Sequence, residues 1–279
     1  MKRFINILFI LLLSMSIFGC SNKAANNEPT NNNNDPGTDV PEEGEWVCTM
    51  EKYYHDDGNV ECYYINEYDE EGKFVRCEEY DGDGNLMYTG ESTYDEKGNE
   101  ILYLGYDKDG KLIDKTEFEY DNKNQMIKET DYLDENTKGD IYTYEYDENG
   151  NAIHIVISSS DGEVFLDTKN EYNVDGKIIK SYEHAEGYVS WTYEYEYNGE
   201  FLEKINRFDN NGTLDGIYVY SYKDQNPDLV ETVKYCNPDN SLIMTMEHRY
   251  DENNNEISYA QFDASGTMMQ MIEYEYRRK

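Results

Sequence analysis

The stretch Tyr94–Leu112, YDEKGNEILYLGYDKDGKL, states one pattern twice: Tyr-Asp, two polar residues, Gly, Asn or Lys, then apolar residues. Taking the residue ahead of each turn as a ruler, the series runs Tyr54, Tyr68, Tyr80, Tyr94, Tyr106, Tyr120, Tyr132, Tyr146, Ser158, Tyr172, His184, with gaps alternating between 14 and 12. It continues through Tyr197, Phe208, Tyr222, Cys236, Tyr250, Phe262 and Tyr276, with gaps of 13, 11, 14, 14, 14, 12 and 14. Two gaps make 26 residues, so the repeating unit is a hairpin, and a period of this size marks a repeat architecture.

Four residues after the ruler position stands a glycine in ten units, from Gly58 to Gly266, and Asn124, Asn136, Asn226, Asn240 or Asn254 in five others. Gly and Asn tolerate positive φ, so Asp-x-x-Gly fits a three-residue hairpin loop closed by a left-handed residue. The Asp side chain accepts from amides of its own turn. No segment between turns has the length or the 3.6 periodicity of a helix.

The even gaps place even-numbered residues from Tyr54 to His184 on one face: Tyr64, Tyr68, Phe74, Tyr80, Leu86, Tyr88, Leu102, Leu104, Tyr106, Leu112, Phe118, Tyr120, Tyr142, Tyr144 and Tyr146. The odd face carries one apolar row near the turns (Val75, Met87, Ile101, Ile113, Ile127, Ile153, Ile179) and is otherwise acidic. The expected fold is all-β: tandem antiparallel hairpins of about 26 residues, roughly eighteen short strands in all, forming a long curled or spiral meander sheet with the tyrosine face inward. A membrane barrel needs an uninterrupted apolar outer band, and neither face offers one.

The Tyr-Asp-x-x-Gly-Asn/Lys hairpins, clearest at Tyr94–Asn99, Tyr106–Lys111 and Tyr146–Asn151, resemble the YD (Rhs-type) repeats of bacterial surface and toxin proteins. Gly212–Tyr222, GTLDGIYVYSY, has a looser likeness to MORN-like repeats of the antitoxin type. Large YD-repeat proteins wind the sheet into a shell around a C-terminal toxin. Here three residues follow Tyr276, so no toxin domain is expected, and the strands are expected to be too few for a closed shell.

Three segments divide the chain. Residues 1–19 read as a secretory signal: Lys2 and Arg3, an apolar run from Phe4 to Phe18, then Gly19. The sequence Ile17-Phe18-Gly19-Cys20 resembles the lipobox of bacterial lipoproteins, which implies lipidation of Cys20 and an extracytoplasmic position anchored to the cell membrane. Residues 20–45, rich in Asn, Pro and acid, form a flexible tether, and residues 46–279 form the repeat domain. A formal charge of -36 repels nucleic acid and anionic lipid head groups. The membrane is therefore expected as a partner through the lipid alone, and the protein as a monomer.

Searching for chemistry gives little. Asp81, Asp83 and Asn85 open like a calcium loop, but Leu86 and Ser92 stand where such a loop needs Gly and Glu, so the acidic turns read as structural. Cys62 and Cys77 fall on opposite faces in the expected register. Cys48 and Cys62 share a face four residues apart, about 13 Å, so with Cys236 at a ruler position no obligatory disulfide is expected. His55, His154, His184 and His248 lack metal-ligand spacing. No nucleophile elbow, phosphate loop or zincin motif is present, and neither catalysis nor a cofactor is expected. The repeat slips between His184 and Phe208, where Trp191 stands near Tyr188, Tyr193 and Tyr195, and this aromatic group is the candidate binding site. The function expected is that of a non-catalytic surface-anchored scaffold or binding module for a cell-wall glycan or a protein. The alternative is an immunity or antitoxin-like protein that neutralises a basic toxin.

Overall fold

The computed structural model describes residues 46–279 except Glu186 and Tyr188. The signal segment, Cys20 and the tether lie outside the described residues. Eighteen strands follow one another: β1 (Trp46–Tyr54), β2 (Val60–Tyr68), β3 (Phe74–Asp81), β4 (Leu86–Tyr94), β5 (Glu100–Asp107), β6 (Leu112–Tyr120), β7 (Met126–Tyr132), β8 (Lys138–Tyr146) and β9 (Ala152–Ser158). The second half comprises β10 (Val164–Tyr172), β11 (Ile178–Ala185), β12 (Trp191–Asn198), β13 (Phe201–Phe208), β14 (Leu214–Tyr222), β15 (Val230–Cys236), β16 (Leu242–Tyr250), β17 (Glu256–Asp263) and β18 (Met268–Arg278).

The turn chemistry fixes each hairpin. In the β2–β3 turn the Asp69 amide donates to the Lys73 carbonyl at 2.9 Å, and the Gly72 amide donates to the Asp69 carbonyl at 3.1 Å. The left-handed residue is Gly72, φ +77°. The Asp69 carboxylate then accepts from the Glu71 and Lys73 amides at 2.9 and 2.8 Å. The same pair of amide bonds recurs at Asp81, Asp95, Asp107, Asp121, Asp147, Asp209, Asp251 and Asp263. Asn124, Asn240 and Asn254 hold the left-handed position with φ of 64°, 66° and 64°. Asn226 does not. Its φ is −98°, and the longer β14–β15 loop contains a 3-10 turn at Lys223–Gln225.

The chain does not form an open spiral. Every strand pairs antiparallel with its sequence neighbour, and β18 returns to pair with β1, from Trp46 opposite Arg278 to Tyr54 opposite Met271. The sheet is a closed eighteen-stranded β-barrel. An open meander would leave two edges of unpaired amides and carbonyls, and closure satisfies both. Eighteen strands at about 4.8 Å spacing give a wall roughly 27 Å across before tilt, so the strand number suffices for closure.

The even–odd sorting of faces also fails, for a definite reason. Beyond the regular turns a second bulge inserts one residue: Tyr68 opposes Phe74, but Glu67 opposes Arg76, which leaves Val75 over. Likewise Tyr80 opposes Leu86 while Glu79 opposes Tyr88, which leaves Met87 over. Parity therefore switches once per hairpin. The apolar row read on the odd face (Val75, Met87, Ile101, Ile113, Ile127, Ile153, Ile179) is the row of these bulge residues. Tyr64, Tyr68, Phe74, Tyr88, Phe118, Tyr120, Tyr142, Tyr144 and Tyr146 share the inner wall. Tyr80, Leu86, Leu102, Leu104, Tyr106 and Leu112 lie on the outer one.

The inner wall has two arcs. From β12 through β18 to β1 it is apolar and buried, with Tyr193, Ile205, Tyr218, Val233, Met244, Met246, Tyr259, Ile272, Tyr274 and Cys48 in one cluster. From β2 to β11 it carries buried polar groups: Asn66, Thr116, Thr168, Ser181 and Glu183. Mid-strand outer positions are ion-paired, as in Arg76–Glu78 (2.7 Å), Lys115–Glu117 (2.8 Å), Lys128–Glu119 (2.6 Å) and Lys180–Glu194 (3.0 Å). Such charges are costly on a lipid-facing wall.

The two rims differ. At the rim formed by turns after even-numbered strands (the even rim), ruler tyrosines point inward, and Tyr68, Tyr94, Tyr146, Tyr172, Tyr222 and Tyr250 reach a carbonyl twenty residues upstream. At the odd rim they lie on the outer wall, where the Tyr80 hydroxyl donates to Glu78 at 2.6 Å and those of Tyr54 and Tyr132 donate to Glu273 and Glu117.

Candidate functional site

Strand β12 begins just past the irregular β11–β12 connection and presents Trp191, Tyr193 and Tyr195 inward; Tyr188 lies outside the described residues. The strand pairing sets Trp191 opposite Glu183 and Tyr193 opposite Ser181. On the other side Tyr193 faces Arg207 and Tyr195 faces Ile205. The three aromatic residues picked out by the broken repeat are thus brought together on one wall.

Arg207 organises the cluster, and sequence reading missed it. Its guanidinium carbon lies 4.3 Å from the Trp191 ring centroid and 5.2 Å from that of Tyr235. Its Nε donates to Asp215 at 2.8 Å, and its terminal nitrogen also donates to Asp215 and to the Tyr235 hydroxyl. Tyr235 stacks on Tyr218 with centroids 4.6 Å apart and planes 18° apart. Gly216 makes room: a Cβ there would stand 2.5 Å from the Tyr235 ring. Asp215 is the bulge residue of the β13–β14 hairpin, so the bulge delivers the carboxylate to the arginine. A signal did exist in the sequence, since Arg207 is a basic residue next to ruler position Phe208 in a chain where most such neighbours are acidic or polar.

Electrostatics sharpen the picture. Glu183 is only 6% exposed. Burial pushes its carboxyl above the usual range, opposed by a hydrogen bond from Tyr193 and by the charge of Arg207. Burial also raises the carboxyls of Glu51 and Glu100, and it pushes Glu129 up to about 7 with help from neighbouring Asp131. Burial, joined by the Glu183 charge, raises the Tyr193 phenol further.

The remaining candidates resolve as follows. The turn aspartates, including Asp81, spend their carboxylates on their own turns, and no set of three metal-ligating side chains converges among the described residues. Among the described residues Cys48, Cys62, Cys77 and Cys236 form no disulfide with one another. Cys62 and Cys77 share the inner face, contrary to the expected register, but Cys62 opposes Asp81 while Cys77 opposes Asn66, four residues further along. The histidines are dispersed. His154 lies 3.0 Å from Asp167 and 3.7 Å from Glu145, His184 2.7 Å from Ser190, and His248 2.7 Å from Glu256.

No protein-family model matches the chain, and no curated protein matches it. Among solved structures it is similar to the TcdB2-TccC3-Cdc42 complex, at 14% identity and TM-score 0.35 over 74% of this chain, and it spans 13% of that chain's length. The Photorhabdus luminescens Tc holotoxin pore gives 14% identity and TM-score 0.35, covering 76% and 13% of the two chains. A porin-like protein from Bacteroides uniformis gives 11% identity and TM-score 0.31, covering 82% and 96%.

Proposed function

We propose that the protein is a non-catalytic binding module, held outside the bacterial cell membrane by a lipid on Cys20, with the aromatic cluster around Trp191 as its contact site. The observation that supports this is the placement of Trp191, Tyr193 and Tyr235 around Arg207, next to the β11–β12 connection where the repeat spacing slips. Trp191 is half-buried: Arg207 holds one side of the ring in place and part of the ring stays accessible. A fixed, partly exposed indole beside tyrosine hydroxyls suits a sugar ring or an aromatic-rich protein surface. The cell-wall glycan is the leading ligand class. The test is retention of the chain from residue 20 onward on isolated cell walls and on a glycan array. Saturable retention that weakens at least tenfold with Trp191→Ala is expected, and equal retention of the variant would remove the site.

The second reading, neutralisation of a basic protein, draws on the acidic character of both walls. It predicts that a basic protein encoded beside this gene co-purifies with the chain at low salt and dissociates as salt rises.

A further inference from the structure

Inward-facing positions carry Glu51, Glu79, Glu129 and Glu183 between the rims, and Glu100 and Glu256 at the even rim. Among the described residues, Arg207 is the one lysine or arginine that shares this face between the rims. Facing carboxylates without matching cations repel one another and leave the wall short of positive charge. A second observation is independent of charge. Thr168, 2% exposed, opposes Glu183 across β10 and β11, and its hydroxyl oxygen has no hydrogen-bond partner among the described residues. A buried hydroxyl left unpaired is costly, so a group that bonds to it gains correspondingly.

We propose that the inner wall binds a cationic polypeptide segment, one basic side chain of which is received by Glu183 and Thr168. The chemistry selects a cation. The carboxylate only accepts hydrogen bonds, the threonine oxygen has lone pairs to accept them, and the adjoining Tyr193 and Trp191 rings favour positive charge. The wall already holds one guanidinium in this manner, that of Arg207 against Trp191 and Tyr235. The proposal names a partner chemistry for the barrel interior and stands or falls apart from the glycan reading, whose test is retention on cell walls.

The experiment is fluorescence anisotropy of a labelled hexa-arginine peptide titrated with the full chain at low and at physiological salt. Saturable binding that weakens with salt is expected, with Glu183→Gln reducing affinity about tenfold and outer-wall Glu91→Gln leaving it unchanged. Thr168→Val separates binding from folding: it should keep or raise the melting temperature, because an unpaired hydroxyl is removed, while weakening the peptide several-fold. Equal losses in Glu91→Gln and Glu183→Gln, an unchanged affinity in Thr168→Val, or no saturable binding at either salt would each overturn the proposal.

Discussion

The Tyr222 hydroxyl donates to the Leu202 carbonyl at 2.7 Å, and Tyr68, Tyr94, Tyr146, Tyr172 and Tyr250 make the same bond to Cys48, Phe74, Met126, Ala152 and Val230, always twenty residues upstream. The bonds form where strand pairs part at the even rim. The β13–β14 ladder ends at Lys204 opposite Val219, so the Leu202 carbonyl lies beyond it and the tyrosine supplies the missing donor. This accounts for tyrosine at these six even-rim ruler positions, whereas Ser158, Phe208, Cys236 and Phe262 stand at the odd rim.

Tyr222→Phe should therefore cost about 1 kcal/mol, a fall of roughly 2–4 °C in melting temperature for a chain of this size. Tyr94→Phe, far around the wall, should add to it. Tyr106→Phe at the odd rim should change little. Thermal denaturation of the three variants and the double mutant checks the rim assignment, and equal costs at both rims would contradict it.

The hairpins, their bulged turns and the number of strands were legible from Asp-x-x-Gly spacing because a turn is local: Asp69, Gly72 and Lys73 settle it among themselves. Closure was not legible, because the pairing of Cys48 with Tyr276 joins residues at opposite ends of the domain and no local signal announces it. The faces were misread for a subtler reason. A bulge residue such as Val75 looks like one more strand residue in sequence, yet it shifts the parity of all that follows on its strand. Trp191 stands out in the sequence because the repeat slips there, and Arg207 does not because its partners Asp215 and Tyr235 come from the next two strands.

Removing Arg207 should disturb more than charge. Asp215 would lose its partner and Trp191 its stacking group, so Arg207→Ala should destabilise by about 2 kcal/mol and shift Trp191 fluorescence to the red. Arg207→Lys should restore little, since an ammonium cannot bond Asp215 through two nitrogens while lying flat on an indole. A Trp46→Phe background isolates the Trp191 signal, and an unshifted spectrum in Arg207→Ala would contradict the stacked geometry.

Glycines opposite tyrosines form a separate packing device. Gly90 and Gly105 face each other across β4 and β5, and the Tyr88 and Tyr103 hydroxyls meet above them at 3.0 Å. A Cβ at Gly105 would stand 2.0 Å from the Tyr88 hydroxyl oxygen, and one at Gly90 2.0 Å from that of Tyr103. Gly105→Ala should cost about 1–3 kcal/mol by overpacking, and Tyr88→Leu in the same chain should recover part of it. Denaturant midpoints of the single and double variants measure the coupling.

Two sets of carboxyls pull the pH dependence in opposite directions. Turn aspartates such as Asp81, Asp95 and Asp147 are held below their usual range by hydrogen bonds from their own turns, so they stabilise the fold above about pH 4, and that contribution is lost as pH falls through their folded values. The inner-wall group Glu51, Glu100, Glu129 and Glu183 is raised by burial, so the folded chain binds more protons than the unfolded one, and stability declines as pH climbs from about 4.5. For Glu129 that decline ends above its folded value of about 7. Stability should therefore peak on the acidic side, near pH 4–5, and fall towards neutrality. Glu129→Gln should flatten the fall between pH 5 and 7.5 and make the protein more stable at the upper end. Outer-wall Glu91→Gln removes the same formal charge without the burial, so it should shift the whole curve slightly and leave its slope intact. Melting temperatures of the three proteins across pH 4–8 separate local desolvation from the general repulsion of a chain with net charge -36. Parallel curves for Glu129→Gln and Glu91→Gln would assign the entire effect to that repulsion.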